Sequence, residues 1–581
     1  MRAWPSTSRF AGTCLLLLTA AGCQVAIAPV DTGRTDTPTI VVQPVDPLEK
    51  IFRETAVFSP HEAVADVARG EHASFQFAVR ATARISDLTA TASAPASDHS
   101  TLPAPWTGFV GYVKVGRSTP TPSRDRLQPA SGYYPDPILD TPSIDIEPHL
   151  TQPVWISVPV PDSSRPGTYE GVLALSGRLD GKQFELERRF EVRVYSPVVD
   201  KSRLWVTNWF SVSPDRLAYM NRGEPVEPYS DTYWELVRVI ASKMAEYRQN
   251  VAMISPLRLA QYTMSEGELQ IDFSYFDRTV EIFIEEGVIG RIEGGHLGGR
   301  ESTWTTPFVV SVPTWDGSDW KFVRLPVSDE RSRAFYDVFL PSLVDHLRDR
   351  GWLDLYMQHL ADEPIVANAA SYVEIARYVK DLAPELRIVE AVHNKDLEGT
   401  INIWVPQLDF LHEDYEFYPS RNESADEVWF YTCLAPQGEY ANRFIELPLI
   451  KTRLLHWINY RYGIPGYLHW GYNAWRLDPF QETTGIITES GNVLPGGDAW
   501  IVYPGFRRIL SSIRLEAMRD GIVDYELLSR LEETHPEEVR ELARRVVYQF
   551  DRYDMNIPAF RAKRRRVLQL LGKNTGNSSY N

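Results

Sequence analysis

The chain has 581 residues, a formal net charge of −17 and only three cysteines. That length leaves room for two or three domains around a large core, and the acidic balance argues against nucleic-acid partners, whose binders carry a basic stripe. The 16 Trp and 28 Tyr suit a protein that handles sugars, because sugar C–H faces stack on aromatic rings.

Residues 1–23 read as an export signal. Arg2 and Arg9 supply positive charge, Cys14 to Leu18 form a short apolar core, and Ala20-Ala21-Gly22-Cys23 looks like a bacterial lipoprotein cleavage box. An ordinary secretory peptide cut nearby is the alternative. The apolar run is too short to span a bilayer as a permanent helix. Cleavage before Cys23 would remove Cys14, commit Cys23 to lipid and leave Cys433 alone, so no internal disulfide could form. Gln24, rather than an aspartate, follows the cysteine and resembles outward-sorted lipoproteins. The expected location is therefore the bacterial cell envelope, at an outer membrane if there is one, or the periplasm. Membrane contact is expected through the lipid anchor only. Residues 24–46, rich in Thr, Pro, Asp and Val, read as an extended tether.

Residues 47–199 read as an all-β module. Between Phe184 and Val194 apolar residues recur at every second position apart from Arg188, the period of a half-buried strand. Asp180-Gly181 marks a hairpin turn back to residues 169–175. Further strands are expected at 73–80, 108–115 and 154–160, spaced by Pro and Gly turns, which together predict a β-sandwich. Such a module either binds glycans or braces its neighbour, and bracing is the preferred reading.

From residue 200 to 545 strands and helices alternate. Strands are expected at 204–210, 251–254, 288–293, 353 onward, 387–392, 408–411, 428–432 and 466–470, with helices at 232–248, 275–286, 335–350, 371–382, 447–462 and 511–531. The stretch from Asp409 to Val428 shows no clear helix. Eight β/α units predict a (β/α)8 TIM barrel, so the fold class is multidomain, an N-terminal all-β sandwich followed by a TIM-barrel catalytic domain. Residues 546–581 read as a last helix and a disordered tail, and the basic run Lys563 to Arg566 as that helix's solvated face.

In a barrel the residues just after each strand converge on one pocket. Here they are Asn208 and Trp209; the glycine-rich run around His296 and Arg300; Asp362 and Glu363; His393 and Asn394; His412 and Glu413; Tyr431; and Trp470, Asn473 and Trp475. The most informative of these is Ala361-Asp362-Glu363-Pro364, a strand-like run that ends in two touching acids before a proline. Adjacent acids shift each other's pKa, so that one can stay protonated near neutrality. The plainer reading of the pair is the cap of the next helix. Other chemistries fit poorly. The glycines around His296 lack GxGxxG spacing, His412-Glu413 does not continue as a zincin, and there is no GxSxG elbow or phosphate loop. Metal binding by His359 or His412 with nearby acids is a weak alternative, so neither a metal nor another cofactor is expected.

Ala361-Asp362-Glu363-Pro364, Trp429-Phe430-Tyr431-Thr432-Cys433, Arg453 with Trp457, the run from Gly466 to Trp475 and the run from Ser512 to Glu526 resemble the catalytic domain of glycoside hydrolase family 123. The likeness covers roughly residues 200–531, and the preceding sandwich fits that family's layout. The resemblance implies a retaining β-N-acetylgalactosaminidase whose substrate is a glycan with a terminal 2-acetamido sugar. It further implies that the acetamido group, not a protein carboxylate, attacks the anomeric carbon. Glu363 would then be the acid and base, and Asp362 would orient the acetamido N–H and stabilise the oxazolinium-like intermediate. Tyr431 would donate to the acetamido oxygen, with Trp470 or Trp475 as a wall behind its methyl. Two rivals remain: a conventional retaining pair of Glu363 and Glu413, and a surface lipoprotein that binds glycans without cleaving them. Galacto against gluco preference, exo against endo action, the natural glycan and the oligomeric state stay open.

Overall fold

The computed structural model describes residues 37–128, 131–421, 426–488 and 491–574. The export signal, Cys14, Cys23 and the terminal tail from residue 575 lie outside the described residues. Among those described, no helix is long and apolar enough to cross a membrane.

The N-terminal region is two five-stranded sheets. One runs in the order Ile40–Val45, His72–Ala81, Thr151–Pro159, Trp106–Val115, Gly132–Leu139, all antiparallel. The other runs Val64–Arg69, Lys182–Val198, Gly167–Leu179, Ile85–Ala92, Ile144–Ile146, with only its first pair parallel. Alternating residues such as Phe75, Phe77, Val154, Ile156, Leu173, Phe190 and Val192 form their shared core. Asp180 (φ 50°) and Gly181 (φ 77°) make the expected hairpin turn between Leu179 and Lys182, because a tight hairpin needs two residues with positive φ. The tether reading of residues 24–46 fails in its last part. Ile40–Val45 is an edge strand registered from Ile40↔Ala81 to Val45↔Gln76, since its apolar side chains have a neighbouring sheet to cover.

The second region alternates parallel strands and helices. A six-stranded sheet contains Val251–Met253, Arg291–Glu293, Tyr356–Gln358, Arg387–Val392, Ile403–Pro406 and Glu427–Val428 in that order. A three-stranded sheet contains Trp205–Asn208, Gly466–His469 and Phe430–Tyr431. Only Trp429 separates Val428 from Phe430, so the two sheets share this segment of chain. On the other side Asn250 spans Trp205–Asn208 and Val251–Met253, its Oδ1 accepting from the Val206 N–H at 2.8 Å.

Strand alternation sends side chains into two separate cores. Val251, Met357, Val389, Ala391, Ile403, Val405, Trp429, Tyr431, Cys433 and Leu468 form one cluster. Their immediate neighbours Ala252, Tyr356, Ile388, Trp404, Val428, Phe430 and Tyr467 pack into the larger core with the helices. Trp209 and Trp470 pack partly buried against the inner cluster.

Three sequence expectations need correction. The sixth strand is Ile403–Pro406, and residues 408–411 are helical within Leu408–Glu413. Pro406 cannot donate onward into the sheet and ends the strand there. The connection that showed no helix holds Leu408–Glu413 and Phe417–Arg421. The run before the acids is strand only over Tyr356–Gln358, entered through a 3-10 turn at Leu353–Leu355.

The basic run on the last helix, Ile557–Asn574, is not a solvated face either. Arg564 is 5% exposed and is paired with Glu71 of the sandwich and with Asp524. Asp524 also binds Arg453 (2.7 Å) and accepts from Trp457 Nε1 (3.0 Å). These cations hold its carboxyl down at about 2 against the opposing effect of burial. Desolvated charges persist only when each is paired in this way.

Candidate active site

The chain after Tyr356–Gln358 delivers the two acids. His359, Leu360 and Ala361 are fully buried, and Glu390 Oε2 accepts the N–H groups of Leu360 (2.9 Å) and Ala361 (3.0 Å). Glu363 then adopts φ 52°. For a residue with a Cβ this left-handed conformation costs on the order of 1–3 kcal/mol and persists where surrounding contacts over-determine it. Arg300 Nη2 supplies one such contact, donating to the Glu363 carbonyl at 2.7 Å. The capping alternative fails, because the next helix, Ala369–Leu382, starts after Asn368.

The turn sends the two carboxylates to different flanks. Asp362 Oδ1 lies 3.8 Å from His296 Nε2, and its side chain is 44% exposed. Desolvation by the cleft walls and then the charge of Glu363 push its carboxyl up to about 6. Glu363 Oε1 lies 3.2 Å from His393 Nε2 and accepts from the Tyr431 hydroxyl. Burial pushes Glu363 up, but His393, Tyr431 and Arg300 outweigh it and hold the carboxyl below its usual range. His393 Nε2 also lies 2.5 Å from Tyr431 Oη, and Gln407 Oε1 is 3.4 Å from the same hydroxyl. Of the two carboxyls, Asp362 keeps a proton to higher pH.

Beneath the acids His359 is clamped between Glu293 and Glu390, each 3.1 Å from one of its nitrogens. Burial favours neutral imidazole, but the two carboxylates outweigh it and hold His359 at about 10. Burial also opposes charge on Glu390, and His296 and His359 outweigh it, down to about 2. The ligand-type atoms of His296, His359 and Glu390 lie within 4.8 Å of one another. An imidazolium that donates from both nitrogens has no lone pair for a cation, so these residues read better as a charged support. Gly294 packs so closely on the neighbouring strand that a Cβ would sit 1.8 Å from Tyr356 Oη.

Several residues expected to bind sugar are committed elsewhere. Asn208 is buried and its Oδ1 accepts from Arg443. Asn473 is buried, with its amide paired to the Ser211 N–H (2.8 Å) and C=O (2.9 Å). Trp475 is core, its Nε1 donating to the Val502 carbonyl at 2.9 Å. Asn208 ends its strand and Asn473 and Trp475 follow theirs, yet each points into protein. Trp209 and Trp470 are instead only partly buried. Trp209 packs edge-on against His296 (5.2 Å) and His359 (5.4 Å), and Trp470 Nε1 reaches both oxygens of buried Asp498 at 3.2 Å. Burial raises Asp498 to about 7 despite Arg443 and Trp470. Glu413 is solvent-exposed on Leu408–Glu413, and His412 Nδ1 is taken by Tyr440 Oη at 2.9 Å.

Sequence reasoning missed Glu293, Glu390 and Trp304. The signal for the first two was present, an acid inside or at the end of an otherwise apolar parallel strand. Trp304 gave no signal, because a three-stranded antiparallel insert, Gly298–Arg300, Phe308–Trp315 and Trp320–Leu325, brings it to the cleft.

Comparison with known proteins agrees with this architecture. The model of the glycoside hydrolase 123 catalytic domain matches residues 213–531, and that of the glycoside hydrolase 123 N-terminal domain matches residues 55–177. Among solved structures, a family 123 glycoside hydrolase from Clostridium perfringens, described for glycolipid glycan hydrolysis, is similar at TM-score 0.70 and 14% identity, over 93% of this chain and 98% of that one. A GH10 xylanase from Thermobacillus composti reaches a TM-score of only 0.30 at 12% identity, over 55% of this chain and 97% of that one, too slight a likeness to argue from. No curated protein matches by sequence. With more than half of its length matched by the catalytic-domain model, the chain belongs to glycoside hydrolase family 123.

Proposed function

We propose that this hydrolase is a retaining β-N-acetylgalactosaminidase that works by substrate assistance at Asp362 and Glu363. The observation that carries the reading is the placement of both carboxylates on one turn, Asp362 beside His296 and Glu363 beside His393 and Tyr431. A conventional retaining pair straddles the sugar with carboxyls about 5 Å apart on opposite faces, which neighbouring residues of one turn are poorly placed to do. Adjacent acids can instead serve two atoms on the same side of the ring.

In this mechanism the acetamido N–H donates to Asp362, which favours its charged form. Charge on Asp362 raises Glu363 and draws a proton to it. Glu363 gives that proton to the glycosidic oxygen as the bond to the anomeric carbon breaks. The acetamido oxygen bonds to that carbon at high effective concentration, and Asp362 stabilises the resulting positive charge. Glu363 then takes a proton from the water that opens the ring. Tyr431 donates to Glu363 and would turn its hydroxyl to the acetamido oxygen once sugar is bound. Trp470 is the better candidate for the wall behind the methyl, since Trp475 is core.

Paired chromogenic substrates test the reading. Hydrolysis of a 4-nitrophenyl 2-acetamido glycoside with no turnover of its 2-hydroxy analogue is expected, as is inhibition by a thiazoline mimic of the cyclised sugar. Equal turnover of both glycosides would refute substrate assistance, and a panel differing at C4 decides galacto against gluco. We further read the parallel strands as a (β/α)8 barrel closed between Trp205–Asn208 and Val251–Met253. A crystal structure with solvent running between those strands would reject that closure. The expected lipid anchor on Cys23 would be excluded by failure of the cells to incorporate labelled palmitate into the protein.

A further inference from the structure

Trp304 is 42% exposed, an unusual state for so large an apolar ring in an ordered turn. Its backbone is fixed nonetheless. Its carbonyl accepts from Arg300 Nε at 3.0 Å and from Asn368 Nδ2 at 3.2 Å. Thr306 closes the turn around it by accepting from the N–H groups of Ser302 and Thr303, both at 3.1 Å. The Arg300 guanidinium stacks 3.7 Å from the Trp304 ring centroid. Arg300 also holds the Glu363 carbonyl, so ring and acid share one anchor.

The flank matters as much as the exposure. Trp304 lies 5.8 Å from the His393 ring, and His393 touches Glu363. Asp362 faces the other way, toward His296. Trp304 thus stands on the side where Glu363 would protonate the departing oxygen, away from the side that would hold the acetamido arm. Arg300 occupies one face of the indole, and the exposed remainder of the ring offers the flat apolar surface that a pyranose C–H face covers well.

We propose that Trp304 is the platform of a leaving-group subsite, stacking on the sugar residue that departs with the proton of Glu363. This rests on Glu363 being the acid, and it adds that the preferred substrate carries a saccharide, not a small alcohol, on the reducing side of the scissile bond. Trp304 takes no part in bond breaking and is a positioning residue.

The test compares two substrates on the full chain, for whichever C4 epimer the wild type cleaves: the methyl β-glycoside, whose leaving group is too small to reach Trp304, and the same sugar β-linked to galactose. Trp304→Ala should lower kcat/KM about tenfold or more on the disaccharide and less than twofold on the methyl glycoside, with an unchanged pH profile on the latter. Trp304→Phe, which keeps a ring, should stay within about threefold of wild type on both. Equal losses on the two substrates would mean that Trp304 only props up Arg300, and no loss on either would mean that the ring is idle. Both outcomes overturn the subsite while leaving the proposed activity intact. A wild type that cleaves neither substrate would instead overturn the activity itself, and the subsite with it.

Discussion

Asp524 and Asp362 are the same functional group in two kinds of burial. Asp524 has Arg453, Arg564 and Trp457 on its two oxygens at 2.7–3.0 Å and is held at about 2. Among the described residues Asp362 has no basic side-chain nitrogen closer than His296 Nε2 at 3.8 Å; it opens to solvent and is raised to about 6. The first carboxylate is saturated and ties the last helix, the catalytic domain and the sandwich together. The second is left short of partners, which leaves it free to accept one from a ligand. Saturation, more than burial or charge, separates Asp524 from Asp362.

The sharpest way to break this contrast is a crossed pair of substitutions. Glu363→Gln should lower kcat on substrates with poor leaving groups by roughly 10²–10⁴-fold, the usual loss for a general acid, while thermal stability falls only modestly as His393, Tyr431 and Arg300 lose the charge they face. Asp524→Asn should do the reverse, costing about 3–5 kcal/mol of stability by leaving buried cations uncompensated, with kcat per folded molecule unchanged. Denaturant titration and single-turnover kinetics on both variants decide it. If Asp524→Asn unfolds no more readily than wild type, saturation is not what distinguishes the two acids.

The clamped imidazolium beneath the site gives the next largest effect. The folded-state value of His359 is raised to about 10, against about 6.5 in an unfolded chain. A raised folded value means that the stabilisation is complete below the unfolded pKa and is lost as pH rises through the folded one. The wild-type advantage over His359→Gln should therefore be constant at pH 5–6 and shrink steadily from about pH 6.5 to 10. A difference between the two melting curves that does not change with pH would show that His359 is not charged.

Much of this was legible in the sequence, and the exceptions share a cause. Period-2 alternation from Phe184 to Val194 and the Asp180-Gly181 turn identified a half-buried sheet because those signals are local. The acids at Asp362 and Glu363 stood out because a proline follows them. What failed depended on partners distant in the chain. Arg564 reads as surface until Glu71, 493 positions away, is seen to meet it. Asn208 ends a strand just as Tyr431 does and Asn473 follows one, and only the partners waiting for the two asparagines, Arg443 and Ser211, decide that they brace while Tyr431 touches Glu363. Trp304 arrives on an insert whose path no periodicity encodes.

The smallest effects concern the two flanks of the acid pair and should have opposite signs. A general acid works only while protonated, so activity falls as pH rises through the pKa of Glu363. Charge on Asp362 raises that value, because two neighbouring like charges oppose each other's ionisation. The hydroxyl of Tyr431 lowers it by hydrogen bonding to the charged form. Asp362→Asn should therefore move the alkaline limb of the kcat/KM profile to lower pH, and Tyr431→Phe should move it to higher pH. The double variant should fall between them unless the two groups act through each other. Limbs that shift in the same direction would mean that the group titrating there is not Glu363, and His393, 3.2 Å from the same oxygen, would be the first alternative to replace.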